Sequence, residues 1–147
     1  MATPSVEPVP AARQPCYPPL SPRRFEAAGG LALVVRPMRP DDEPRMIAFH
    51  TLLSEQSVHW RYFRTLPLQT RIAHERLVTI CRPSPECEAV LVAEWVDAVG
   101  QAHIVAVGRV VDLPQPGVAE FAVVVADAWQ GRGVGRRLLA ELIEQAR

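Results

Sequence analysis

Six consecutive residues near the C-terminal end, Gln130, Gly131, Arg132, Gly133, Val134 and Gly135, have the types and spacing to hold an anion. They follow the apolar run 121–126 and precede an amphipathic stretch that reaches Arg147. A strand, a glycine loop and a helix in that order leave the amides of the first helical turn without intrahelical partners. The helix dipole adds positive charge at the same end, and glycine lets a phosphate approach the backbone. Arg132, Arg136 and Arg137 could add guanidinium forks that match phosphate oxygens; read more plainly, they are solvated arginines at a helix start. Glu120, upstream in Val118-Ala119-Glu120-Phe121-Ala122, sits where apolar neighbours would make a carboxylate a stronger base. A strand-end glutamate facing solvent is the alternative.

The elements that must position these groups are legible in the apolar periodicity. Val134, Leu138, Leu142 and Ala146 recur every four residues, with Gly135, Leu139 and Ile143 beside them, which predicts a helix carrying an apolar stripe. Glu141, Glu144 and Gln145 fall off that stripe, and Arg137–Glu141 reads as a modest surface pair. Before the loop, 89–96, 103–111 and 118–126 are rich in Val, Ile and Ala and read as three strands joined by turns at 97–100 and 113–117. Period two puts Glu120, Ala122, Val124 and Ala126 on one face of the last strand and Phe121, Val123 and Val125 on the other. Further upstream, 31–35 reads as a strand. Asp41-Asp42-Glu43-Pro44 opens a helix, 57–63 is a second short helix, and 68–81 is a third, ended by Arg82-Pro83-Ser84-Pro85. Residues 1–30 read as a disordered proline-rich leader, with seven prolines in the first 22 positions and Gly29-Gly30 closing it. The whole is an α/β layer, a mostly antiparallel sheet with helices packed on it.

Composition narrows the classes. The chain has 147 residues, a formal net charge of zero and 48% hydrophobic residues, which predicts one soluble domain and argues against generic nucleic-acid binding. No apolar run approaches the ~20 residues of a membrane span, and the N-terminus lacks a secretory pattern, so a cytoplasmic protein is expected. Cys16, Cys81 and Cys87 lack zinc-type spacing and read as ordinary thiols; no metal is expected. His74-Glu75 is not a His-Glu-x-x-His motif, because position 78 is Val. His50 reads as a packed core histidine and Trp129 as packing. All sixteen basic residues are arginine, which codon usage explains, and the chain therefore has no lysine of its own to modify.

Two common phosphate motifs fail on spacing. A P-loop needs four residues between its first glycine and Gly-Lys-Ser/Thr, and here no lysine exists. The dinucleotide fingerprint needs a third glycine three residues after the second, where this chain has Arg136 or Leu138. What remains is Gln-x-x-Gly-x-Gly at Gln130, Gly133 and Gly135, which resembles the coenzyme A pyrophosphate loop of the GNAT superfamily of N-acetyltransferases. The likeness extends to Arg-Pro-Met-Arg-Pro-Asp-Asp-Glu at 36–43, to Leu-Ser-Glu-Gln-Ser-Val-His-Trp-Arg-Tyr-Phe at 53–63 and to His-Glu-Arg-Leu-Val-Thr-Ile-Cys at 74–81. These are similar to the GNAT domain of bacterial protein lysine acetyltransferases. The resemblance covers 31–147, and its most specific pieces are 54–63 and 119–135.

The resemblance implies a GNAT fold, acetyl-CoA as cosubstrate, and acetyl transfer to an amine, above all a protein lysine on a metabolic enzyme such as an acyl-CoA synthetase. It implies Glu120 as the base. The backbone of Val123, Val124 and Val125 would pair with the pantetheine arm, and the Val123 or Val124 amide would donate to the oxyanion. Gln130, Gly131, Arg132, Gly133, Val134, Gly135 and Arg136 would hold the pyrophosphate. His59 and Arg61 are candidates for contact with the target protein. The chain also departs from the family: a GNAT fold continues past this helix with a splayed strand, a helix and closing strands. The expectation is therefore a C-terminally incomplete domain with an open edge at 118–126, and a non-catalytic acyl-CoA-binding or interaction module, or a small-amine acetyltransferase, stand as alternatives.

Overall fold

Alternating apolar residues build five strands, β1 (Arg23–Ala27), β2 (Leu31–Pro37), β3 (Glu88–Val96), β4 (Ala102–Asp112) and β5 (Ala119–Val125), which pair antiparallel in chain order. The structure is a computed structural model and describes residues 17–147. The connection from β2 to β3 carries α1 (Glu43–Thr51), α2 (Glu55–Tyr62), α3 (Leu68–Arg71) and α4 (His74–Cys81), and α5 (Val134–Gln145) follows β5. Helices thus cover both faces of the sheet. This is the α/β architecture expected from the sequence.

Strand parity sorts the core into two clusters. Leu33, Val35, Leu91, Ala93 and Val110 pack with Val134, Leu138 and Leu142 of α5 on one face. Val90, Val92, Ile104 and Val107 pack with Met46, Phe49, Val58 and Leu77 on the other. The β3–β4 register shifts at Ala93/Glu94, where Ala93 pairs with Ala106 but Glu94 with Ile104. Val105 is the extra residue of this bulge, and its carbonyl accepts from the Ala126 amide at 2.9 Å, fastening the chain as it leaves β5. α5 lies close to the sheet because Gly108 has no side chain: a Cβ there would sit 2.9 Å from Leu142 Cδ1.

One buried ion network ties α1 to the sheet. Arg36 on β2 donates to both oxygens of Asp42 at 2.8 Å and to Glu94 on β3 at 2.8 Å. Asp42 also accepts from the Arg39 amide at 2.8 Å, so the carboxylate holds the turn before α1 instead of capping the helix. Burial alone would raise the Asp42 pKa; the hydrogen bonds from Arg36 and Arg39 outweigh it and hold the group below its ordinary value.

Three sequence expectations are corrected. The folded part begins before Leu31. Tyr17 is buried, donates to Asp112 and to the Pro85 carbonyl, and β1 pairs with β2 from Arg23↔Val35 to Ala27↔Leu31. Gly29 and Gly30, read as the end of a leader, are the hairpin turn, with φ of 98° and 80°. Residues 1–16 of that leader lie outside the described residues. Second, 68–81 is two helices. Ala73 is extended, with φ −56° and ψ 134°, and α4 restarts at His74. The apolar spacing runs across the break because both pieces face the same core. Third, the buried stripe of α5 is Val134, Leu138, Glu141, Leu142 and Gln145, while Leu139, Ile143 and Ala146 are exposed. Glu141 is buried because Arg23 and Arg137 both pair with it, at 3.1 and 3.0 Å. Gln145 is buried because it donates to the Pro18 carbonyl at 2.9 Å.

Candidate active site

The glycine loop works through three different glycines. Gly131 and Gly133 have φ of 74° and 84°, a conformation that L side chains rarely adopt, and open space lies where a Cβ would be. Gly135, in the first turn of α5, is there for packing: a Cβ would come 3.3 Å from Val125 Cγ2. Among the described residues, no backbone hydrogen bond uses the amides of Gly131, Arg132, Gly133, Val134, Gly135 or Arg136; the first helical bond is donated by Arg137 to the Gly133 carbonyl at 3.1 Å. Six partnerless amides around two bare glycines fit a diphosphate.

Neighbouring side chains hold this loop still. Gln130 Nε2 donates to Ser57 Oγ at 2.9 Å and to the Val125 carbonyl at 3.0 Å. Asp127 accepts from the Ser54 amide at 3.0 Å, and Ser54 caps α2 through the Ser57 amide. The Gln130 side chain is therefore a strut between β5, the loop and α2. Ser54, Ser57 and Asp127 were missed as contributors by sequence reasoning, since the bonds span 73 residues. Of the three loop arginines, Arg132 lies over the Trp129 ring at 5.5 Å and against the Gly29 turn, and Arg137 is paired with Glu141. Arg136 is exposed and has no ion pair among the described residues, so it alone is free to swing toward a phosphate.

Among the described residues, the outer edge of β5 faces no other strand. Val118 and Ala126 turn their polar backbone groups toward β4, through Leu113 N to Val118 O at 2.9 Å and Ala126 N to Val105 O. Alternation along an antiparallel strand then points Ala122 and Val124 inward as well, and Phe121, Val123 and Val125 outward. The strut from Gln130 to the Val125 carbonyl agrees. This corrects one expectation: the Val124 amide belongs to the sheet ladder, and Val123 offers the free donor.

Glu120 lies on the α1–α4 face of β5, about 17 Å along the strand from Val125. It is exposed, and it shares a hollow of about 140 Å³ with Arg61, Arg109, Val111, Leu113 and Ala122. The expected apolar surroundings are thus replaced by two guanidinium groups. His50, read as a core residue, is buried on α1, and its imidazole pKa is pushed down to about 4, first by burial and then by Arg71, Arg76 and Arg61. Trp129 packs at 5.5 Å against Trp95, in keeping with a packing role. Cys81 and Cys87 are free thiols, and Cys16 lies outside the described residues. Among the described residues no helix is long and apolar enough to cross a membrane.

An antiparallel sheet, an open last strand and a glycine loop feeding a helix together define the acyl-CoA-handling half of the GNAT fold. Residues 48–147 match the acetyltransferase (GNAT) family, and the chain belongs to that family, whose members use acetyl-CoA as cosubstrate. It is 28% identical over 118 residues to Acetyltransferase PA5475 of Pseudomonas aeruginosa, a match covering 80% of this chain and 61% of that protein. The chain therefore spans less than two thirds of that relative's length. Its structure is similar to the crystal structure of the GNAT domain of S. lividans PAT, with a TM-score of 0.73 and 25% identity over 86% of this chain and 72% of that one.

Proposed function

We propose that this chain moves an acetyl group from acetyl-CoA to an amine, most simply a protein lysine, with Glu120 taking the proton. The single observation that carries the reading is alignment: partnerless loop amides, the free β5 edge and a carboxylate lie in sequence along one strand. The loop 130–135 and Arg136 hold the diphosphate. The outward Val125 amide pairs with the pantetheine arm and brings the thioester toward Glu120. As the amine nitrogen attacks the carbonyl carbon, the Val123 amide donates to the developing oxyanion, Glu120 accepts the amine proton, and the C–S bond breaks to release the coenzyme as its thiolate. Positioning amine and thioester together supplies most of the acceleration. A lysine side chain, with an ordinary pKa of ~10.4, needs such a proton acceptor at neutral pH. By family resemblance the acceptor is a metabolic enzyme such as an acyl-CoA synthetase, and free Cys81 and Cys87 fit a reducing cytoplasm.

A Glu120→Gln protein is expected to keep its acetyl-CoA affinity within about twofold and to lose turnover by about 100-fold or more. Unchanged turnover would remove Glu120 from the mechanism. A second reading, a non-catalytic acyl-CoA-binding module, is favoured by the exposure of Phe121 on β5 and of Leu139 and Ile143 on α5. Thiol release over many cycles in the presence of acceptor separates an enzyme from such a module.

A further inference from the structure

Next to the Glu120 hollow, the chain gathers four arginines that the acyl-CoA side does not use. Arg61 comes from α2, Arg71 from the end of α3, Arg76 from α4 and Arg109 from β4; with His50 and Tyr62 they line a cavity of about 300 Å³. Arg61 and Arg109 also line the Glu120 hollow, so the two spaces adjoin.

The charges in this cavity do not balance. Arg109 is paired, with Nη2 2.6 Å from Glu88. Arg71 is only 7% exposed, yet its partners are neutral. Its Nε donates to the Leu66 carbonyl at 2.9 Å, and its Nη1 donates to the His50 carbonyl at 3.0 Å and lies 3.3 Å from His50 Nδ1. Its Nη2 has no hydrogen-bond partner among the described residues. Arg61 and Arg76 both lie over the Tyr62 ring, 4.8 and 5.2 Å from its centroid, which holds two further cations at the same wall. The Arg61 pKa is lowered, first by burial; Tyr62 and Glu120 oppose that, and repulsion from Arg109 and Arg76 adds to it. His50 stays neutral in the same field and adds no further positive charge. A buried guanidinium with only neutral partners, as at Arg71, is costly, and forked donors facing one space match an oxyanion.

We propose that the cavity lined by Arg61, Arg71, Arg76 and Arg109 binds an oxyanion, a carboxylate or phosphate carried by the amine acceptor close to its reacting nitrogen. The preferred acceptor is then acidic beside its amine, and the docked acid brings that amine to Glu120. The assignment of the oxyanion to the acceptor rests on the acetyl-transfer reading; the anion site itself does not.

The test therefore has a binding arm and a kinetic arm. Inorganic phosphate and succinate are titrated into the full chain without acetyl-CoA and followed by calorimetry. Binding is expected, weakened about tenfold or more by Arg76→Gln and partly restored by Arg76→Lys, with acetyl-CoA affinity changed less than about twofold. Arg61→Gln serves as a second variant, because Arg71 also supports the fold. Absence of phosphate and succinate binding to well-folded protein, or binding unaltered by both variants, overturns the site. In the kinetic arm, a lysine peptide flanked by glutamate is expected to show a lower KM than its glutamine-flanked counterpart, and phosphate is expected to compete with the acidic peptide. Noncompetitive phosphate with equal KM for both peptides would overturn the acceptor assignment and make the cavity a site for a free anion. Phosphate binding that Arg76→Gln weakens, with no acetyl transfer to any peptide, would confirm the anion site and defeat the acetyl-transfer reading instead.

Discussion

The two faces of the sheet are built on opposite principles. The α5 face is apolar: one helix lies on Val35, Leu91 and Val110, brought close by Gly108, and its one buried acid among the described residues is paired with arginines. The α1–α4 face mixes an apolar core with buried charge, the Arg36–Asp42–Glu94 network at one end and the arginine cavity at the other. The difference divides the labour. A face that only has to hold a helix N-terminus in place is satisfied by packing. A face that receives a second substrate, as proposed above, keeps polar groups out of water at a cost in stability.

The sharpest way to break this comparison is to remove one charge and one methyl cluster and compare. Asp42→Ala leaves Arg36 buried with only Glu94 and is expected to cost about 3–5 kcal/mol in urea unfolding. Leu142→Ala on the α5 face is expected to cost about 2–5 kcal/mol through the cavity it opens. The first loss should shrink as acid protonates Asp42 in the parent protein, whereas the second should be independent of pH. An Asp42→Ala protein as stable as its parent would show that the charged face carries no special penalty.

A smaller effect is expected from His50. Its folded pKa lies near 4, below the ordinary 6.5, so the unfolded chain binds the proton more readily. Stability from this group is complete above about pH 6.5 and is lost as pH falls toward about 4, by about 2–3 kcal/mol over that window. His50→Asn is expected to flatten that slope, read from unfolding midpoints at a series of pH values. A slope unchanged by the substitution would move the titration elsewhere. The mildest contrast lies within the loop. Gly133→Ala is expected to cost about 1 kcal/mol through its positive φ and to weaken acetyl-CoA binding. Gly135→Ala is expected to act through the 3.3 Å approach to Val125, tilting α5 away from β5.

The strand–loop–helix unit was legible because it is contiguous. Strand, loop and helix occupy 119–145, and the spacing of Gly131, Gly133 and Gly135 speaks for itself within that window. The hairpin of β1 and β2 was hidden by prolines: seven in the first 22 residues masked the pattern of 23–27, and Gly29-Gly30 looked like a linker instead of a turn. The α5 stripe was misread where polar atoms found distant partners. Glu141 meets Arg23 across 118 positions and Gln145 meets Pro18 across 127, and no periodicity announces such bonds.

Local order of residues determined the secondary elements, the layer architecture and the glycine loop, because hydrogen bonding within a strand or helix and the φ preference of glycine act over a few neighbours. Which Val123–Val125 amide is free, what surrounds Glu120, and the meeting of Arg61, Arg71, Arg76 and Arg109 were settled only in three dimensions. Those four arginines come from four elements, and electrostatic fields sum over distance in space, whatever the separation along the chain.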